Sequence, residues 1–200
     1  MQGEPWTDSM QADDVGLLRG AFDIHVHACP HINRRRVNAL EAARQALAAG
    51  MRGLVLIDNF ANSSGIAGLV EELLPSGADF RVLGGIVLNH QVGLINPAAV
   101  EAAIGYGNGA AFVSLPTHHT RRVALEEGRP REEVDRALTV PGMMDASLAQ
   151  ILDIVAEHDV VLNTGHIAAD EALLVVAEAR RRGVNRIVVP AYGYGAEALK

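Results

Sequence analysis

The stretch Asp23-Ile24-His25-Val26-His27 has the clearest chemical content in the chain. It falls in a short apolar run, Ala21 to Val26, that predicts a strand. Residues two apart on a strand share a face, so Asp23, His25 and His27 are expected to point one way and Phe22, Ile24 and Val26 the other. Two imidazoles on a buried strand are costly unless they are satisfied. One metal ion held by both rings satisfies them, and imidazole suits zinc, iron, nickel or copper. Two core histidines held by hydrogen bonds are the alternative. A third imidazole, His166, follows another predicted strand after Thr164 and Gly165. Gly165 is expected to let backbone approach a ligand closely. Three protein ligands and one open position for water make a minimal catalytic zinc site. His25, His27 and His166 are therefore the expected metal ligands, with a capping or core role as the alternative for His166.

Other residues gather around the same strand ends. His118 and His119 follow the fourth predicted strand, and one of them is expected to face a substrate, the alternative being a solvated pair. His90 ends the third strand beside Asn89 and is a candidate for substrate or proton handling. His158 lies at a helix end, where it complements the helix dipole. Arg34-Arg35-Arg36 precede a predicted helix, and cations there oppose its dipole, so something must compensate. A substrate carboxylate or phosphate gripped by Arg34 and Arg35 is one answer. A solvated run paired with surface carboxylates is the other. Cys29 beside the histidines reads as a small buried residue rather than a nucleophile.

The elements that must position these residues alternate along the chain. Strands are expected over Ala21 to Val26, Leu54 to Ile57, Arg81 to Leu88, Ala110 to Leu115, Val160 to Asn163 and Arg186 to Val189. Between them lie helices over Val37 to Ala49, Ser64 to Leu74, Pro97 to Ile104, Ser147 to Glu157 (Ser147 as N-cap) and Ala169 to Arg182. A weak repeat supports the pattern: Ala48-Ala49-Gly50-Met51-Arg52-Gly53-Leu54 and Arg181-Arg182-Gly183-Val184-Asn185-Arg186-Ile187 both read as helix end, glycine turn, strand. Strands with little polar alternation suit a parallel sheet covered on both faces. Most units are about 27 to 32 residues long, the spacing of a (β/α) barrel. The expected fold is thus α/β, a TIM-type barrel that is incomplete at about six parallel strands. A doubly wound sheet is the rival, weakened because no Gly-rich phosphate loop follows the first strand. Residues 116–146 interrupt the rhythm, with a short helix expected over Pro130 to Leu138. Such an excursion reads as a lid or subunit contact, or else a surface loop.

Composition sets outer bounds. Of 200 residues, 49% are hydrophobic and 20% charged, which excludes wholesale disorder and makes a single main domain the default. The net charge of −7 argues against nucleic acid or an anionic membrane as partner. One cysteine excludes a disulfide framework. No apolar run reaches the roughly 18 residues of a membrane span. Residues 1–20 read as an acidic extension carrying Glu4, Asp8, Asp13 and Asp14, unlike a secretory signal, so a cytoplasmic protein is expected.

Phe22 to Pro30 resembles the opening strand of the amidohydrolase superfamily. Over about residues 19–189 the chain most resembles an amidohydrolase-like family known only as a domain of unknown function. The resemblance rests on Asp23-Ile24-His25-Val26-His27-Ala28-Cys29-Pro30, Gly84-Gly85-Ile86-Val87-Leu88-Asn89-His90, Val92-Gly93-Leu94-Ile95-Asn96-Pro97 and Asn163-Thr164-Gly165-His166. It implies a metal-dependent, hydrolase-like barrel with the metal at the strand ends. The superfamily's first-strand pair maps to His25 and His27, and its fifth-strand histidine to His166. Its sixth-strand histidine would fall near Val189-Pro190-Ala191-Tyr192, where there is none. The relatives' second-strand lysine is replaced by the stretch Ile57-Asp58-Asn59, and the late aspartate would lie beyond Lys200.

The first expectation for function is a metal-dependent hydrolase acting on a small-molecule amide or ester, using zinc, or iron or manganese. Asp58, Asp23 or His90 is available to move protons. A lyase such as a decarboxylase on the same scaffold is the second. The third is an inactive barrel used for binding. A phosphoesterase of the other His-x-His class fits less well, because its Thr and Ser-Asp-Gly continuation is missing after His27. Two further units would need about 60 residues beyond Lys200. The expectation is therefore a gap between strands one and six, and weak or no hydrolysis unless a partner subunit, for instance in a homo-oligomer, fills it. Tyr192 to Gly195 reads as a loop leading into a helix near Ala196.

Overall fold

The computed structural model describes residues 16–190. Six strands lie side by side in chain order: β1 (Phe22–Val26), β2 (Gly53–Leu56), β3 (Arg81–Val87), β4 (Ala110–Ser114), β5 (Val161–Asn163) and β6 (Ile187–Val188). Every neighbouring pair is parallel. The sheet curls into a half-barrel, consistent with an incomplete TIM-type barrel. The strand order never reverses, so the doubly wound rival is excluded. Among the described residues β1 and β6 form the two edges. No helix among them is long and apolar enough to cross a membrane. Most of the acidic extension, and the loop and helix expected after residue 191, lie outside the described residues.

Alternation along the strands separates two apolar layers. Leu54 and Leu56 of β2 pack with Ala39, Ala43 and Ala46 of α1 (Ala39–Ala48) and with Ala67 and Val70 of α2 (Ser64–Glu72). Ile86, Val113 and Leu162 join the largest cluster, which includes Val100 of α3 (Pro97–Gly105). Their intervening neighbours Val55, Val87 and Phe112 form a separate small cluster with Ile57. Helices therefore cover one face, and the other face is lined by a short apolar floor. Asn38 and Glu41 form a capping box at the start of α1, with bonds of 2.8 and 2.9 Å.

Gly84 and Gly85 have a steric role. A Cβ at Gly84 would run into the backbone of Ser64, at the start of α2. With no side chain there, the Ser63 hydroxyl reaches Leu56 O at 2.6 Å and Gly85 O at 2.9 Å, and accepts the Gly85 N–H at 2.9 Å. Gly84→Ala should cost about 1–3 kcal/mol by overpacking, read as a lowered denaturation midpoint. A midpoint equal to that of the parent chain would show that α2 can simply move away.

Two expectations need correction here. The first strand is not buried. Phe22 is 39% and Ile24 46% exposed, because β1 is an edge and α1 packs on β2 instead. Burial of the strand therefore does not by itself force the histidines to share a metal. The second concerns the helix before β5, α7 in chain order. Three short helices precede it in the excursion: α4 (Arg121–Glu126), α5 (Arg131–Arg136) and α6 (Val140–Met143). α7 itself spans Ala146–Glu157, and its N-cap is Asp145, not Ser147. Asp145 Oδ1 accepts the N–H groups of Ser147 and Leu148 at 2.9 and 3.1 Å. Aspartate and serine cap about equally well, so the extended backbone at 145 decides it. The excursion is tied into the fold by Val140, which lies in the main core.

Candidate functional site

Because all strands are parallel, their C-terminal ends share one rim. His25 and His27 come to it from β1, Asp58 from β2, His90 from β3, His118 and His119 from β4, and His166 from β5. The β1–β2 register slips there: Asp23 faces Leu54, but Val26 faces Leu56, so three residues span two. Asp23 Oδ1 folds back onto the His25 N–H at 3.0 Å and is used locally. Beyond this bulge the two rings converge, with His25 Nε2 and His27 Nε2 3.0 Å apart.

The other nitrogen of His27, Nδ1, donates to Ile57 O at 2.8 Å. This bond fixes the tautomer and leaves Nε2 with a lone pair, the arrangement usual for a metal-bound imidazole. Loss of water where the rings meet lowers both pKa values. His27 falls to about 4, mainly from burial and then from His25 beside it, with the Ile57 bond opposing. His25 is also lowered by burial, partly offset by Asp23. Two nitrogens bound to one tetrahedral zinc sit about 3.4 Å apart, given Zn–N near 2.1 Å. The pair thus fits two positions of a metal site. Among the described residues no group of three or more His, Cys, Asp or Glu side chains is arranged to hold a metal ion.

His166 occupies the same rim. Its pKa is lowered, chiefly by burial, and the neighbouring Arg122, His118 and His25 add to this, against a hydrogen bond to the Thr117 backbone. Gly165, at φ +66°, turns the chain where a Cβ would strike the Leu115 and Pro116 carbonyls. The close approach expected at Gly165 is therefore to the end of β4, not to a ligand. Thr120, the N-cap of α4, donates its hydroxyl to His166 O at 2.8 Å and fixes the backbone from the excursion side.

Between β3 and β4 the organising residue is Asn89, which is fully buried. Its Oδ1 accepts the N–H groups of Thr117 and His118 at 2.9 and 3.0 Å. Its Nδ2 donates to Asn59 O and Thr117 Oγ1, both at 2.9 Å. Three strand-end loops are thereby clamped by one amide. His118 stacks on Phe60, with ring centres 5.5 Å apart, and its Nε2 is buried with no partner among the described residues. His119 lies against His90, ring centres 4.1 Å apart. His118 and His119 thus both belong to the rim, and both meet Asn89 Oδ1.

A family profile matches residues 20–198, almost the whole chain. The chain belongs to DUF6282, a family of unknown function. No curated protein matches it.

In this DUF6282 chain the residues around Arg35 sort differently from the expectation. Arg34 and Arg36 are exposed, whereas Arg35 turns in towards the histidines and adds to the lowering of the His27 and His118 pKa values. The α1 dipole is answered by Glu41 in its first turn, so no ligand is needed for that purpose. His31, to which sequence reasoning gave no role, has a fully buried side chain 3.8 Å from Asp58. Its ring centre is 5.8 Å from that of His27 and 5.6 Å from that of Phe60. The available signal was its spacing of four from both His27 and Arg35. Phe60 and Asn89 were also missed as site residues, although a buried strand ending in a lone asparagine was a usable cue. Asp58 Oδ1 accepts the Phe60 N–H at 2.7 Å. His90 is exposed.

The histidines make the fold acid-sensitive. His27 and His119 are both held at about 4, His119 by burial first and then by His90, His118 and Arg129. Unfolded histidine titrates near 6.5, so between these values the unfolded chain binds more protons and stability rises with pH. The full contribution is present above pH of about 6.5 and is lost as pH drops towards about 4. Discounted for solvent screening, a loss of about 1 kcal/mol lowers Tm by about 2–4 °C for a chain this size. Thermal melts of metal-free protein should show that drop between about pH 7 and pH 5, reduced in His119→Gln. A melting temperature flat over this range would contradict it.

Proposed function

We propose that this chain is a metal-dependent hydrolase of the amidohydrolase type acting on a small-molecule amide or ester. The observation that carries the reading is the convergence of His25 Nε2 and His27 Nε2 to 3.0 Å, with His27 Nδ1 tied to Ile57 O. His25 and His27 would hold the metal, and His166, on the same rim but not gathered with them among the described residues, would have to turn towards them to serve as third ligand. Zinc suits this donor set, and iron is the next choice ahead of manganese. When bound, such a metal supplies Lewis acidity and brings the pKa of a water towards about 7.

The chain's own groups supply the rest. Both imidazoles are kept neutral, hence able to act as ligands, at ordinary pH. Asp58 is better placed than His90 to move a proton. It follows Ile57, whose carbonyl orients His27, and with Oδ1 engaged by Phe60 its Oδ2 is the oxygen for transfer. His90 pairs instead with His119. Phe60 and the stacked His118 form an aromatic wall on one side of the rim.

Metal analysis of the purified chain, followed by a panel of small amides, esters and lactones, tests the proposal. One equivalent of bound metal and hydrolysis abolished by a chelator and restored by zinc or iron are the expected results. A chain that retains no metal on dialysis against zinc, or whose turnover ignores the chelator, would overturn it.

A further inference from the structure

We infer that Arg35 and His31 form a binding site for a carboxylate group, beside the histidine pair. The word substrate applied to its ligand rests on the hydrolase reading. The site itself rests on a mismatch of hydrogen-bond donors.

The side chain of His31 is fully buried, at 0% exposure. Its Nδ1 accepts the Asn33 N–H at 2.9 Å. A neutral imidazole carries one proton, so Nε2 is then an N–H. That N–H faces Arg35 Nη2 at 3.2 Å, and a guanidinium nitrogen has no lone pair to offer. The opposite tautomer only moves the clash to the Asn33 N–H. The nearby carboxylate does not resolve it, because Asp58 Oδ1 lies 3.8 Å from Nε2 and already accepts from Phe60. Arg35 Nε is buried and has no hydrogen-bond partner among the described residues.

Nε and Nη2 share the side edge of the guanidinium, the edge that grips a carboxylate with two parallel bonds. Buried donors without an acceptor are costly. Arg35 Nε is one such donor, and Arg35 Nη2 and His31 Nε2 oppose each other 3.2 Å apart with no acceptor between them. A two-oxygen planar anion on this edge of the guanidinium would satisfy them. Asp58, 3.8 Å from His31, argues for a singly charged carboxylate over phosphate, whose second negative charge it would repel more strongly. Arg35 also acts on the His27 and His118 rings, so a molecule anchored here lies against the rim.

The test is an acetate titration of the full-length, metal-free chain with 15N-labelled histidines, read by NMR. The His31 ring signals should shift and saturate. Arg35→Gln should weaken acetate binding by at least about tenfold, and Arg35→Lys, which keeps the charge but loses the fork, should fall between. If Arg35→Gln does not fold, as judged by its circular dichroism, His31→Gln takes its place with the rim histidines as reporters. No acetate-dependent shift, equal affinity in the variant, or tighter binding of inorganic phosphate would each overturn the inference. Neither metal nor turnover enters this measurement, so its outcome is independent of the hydrolase proposal.

Discussion

Replacing His27 with alanine should lower the affinity for zinc by more than about 100-fold and abolish metal-dependent hydrolysis. Even residues that only orient a ligand commonly contribute 10–100-fold to metal affinity, and His27 is placed to do more. It supplies one of the two converging Nε2 atoms, and its Nδ1 bond to Ile57 O sets the tautomer that leaves that atom a lone pair. Competition with a chelating dye reads the affinity directly. Asp58→Asn is the informative contrast, because it should keep the metal while turnover falls. His27→Ala binding zinc as tightly as the parent would remove the pair from any metal site and leave it as two hydrogen-bonded surface-rim histidines.

The second large effect is expected at the amide that clamps the strand-end loops. Asn89→Ala should destabilise the fold by about 3–5 kcal/mol, because the buried Thr117 and His118 N–H groups lose their acceptor and Asn59 O and Thr117 Oγ1 lose their donor. For a chain of this size that corresponds to about a 10 °C fall in Tm. Asn89→Asp should not rescue the fold at neutral pH, since its second oxygen would face the Asn59 carbonyl and carry a buried, unpaired charge. Chemical denaturation gives the comparison. An alanine variant within about 1 kcal/mol of the parent would mean that the loops hold without the clamp.

Much of the scaffold was legible in the sequence because short-range rules govern it. Ala-rich and Leu-rich segments ending in glycine gave the helices, and runs such as Leu54-Val55-Leu56-Ile57 gave the strands to within a residue or two. The parallel order followed from the β-α-β rhythm. The rim was legible because strand ends can be counted, and His25, His27, His90, His118, His119 and His166 all lie there. What did not follow from pattern depends on contacts between distant segments. The exposure of Phe22 and Ile24 reflects which strand α1 chooses to cover. The roles of His31, Phe60 and Asn89 depend on three loops meeting. The site of close approach at Gly165 is set by β4, not by anything adjacent in the chain. Arg35 and its flanking arginines are identical in type, and only the turn of the loop separates the half-buried one from its exposed neighbours.

The chain-order sheet also sets a timetable during biosynthesis. Each strand pairs with the one made just before it, so pairing partners leave the ribosome in order, while the domain itself folds as a unit. The His25–His27 pair, with the Ile57 carbonyl that orients it, is complete once β2 has emerged. The Asn89 clamp must wait for Thr117 and His118, and His166 arrives only with the end of β5. The nascent chain thus holds every residue of the converging imidazole pair well before the residues that complete the rest of the rim have been made.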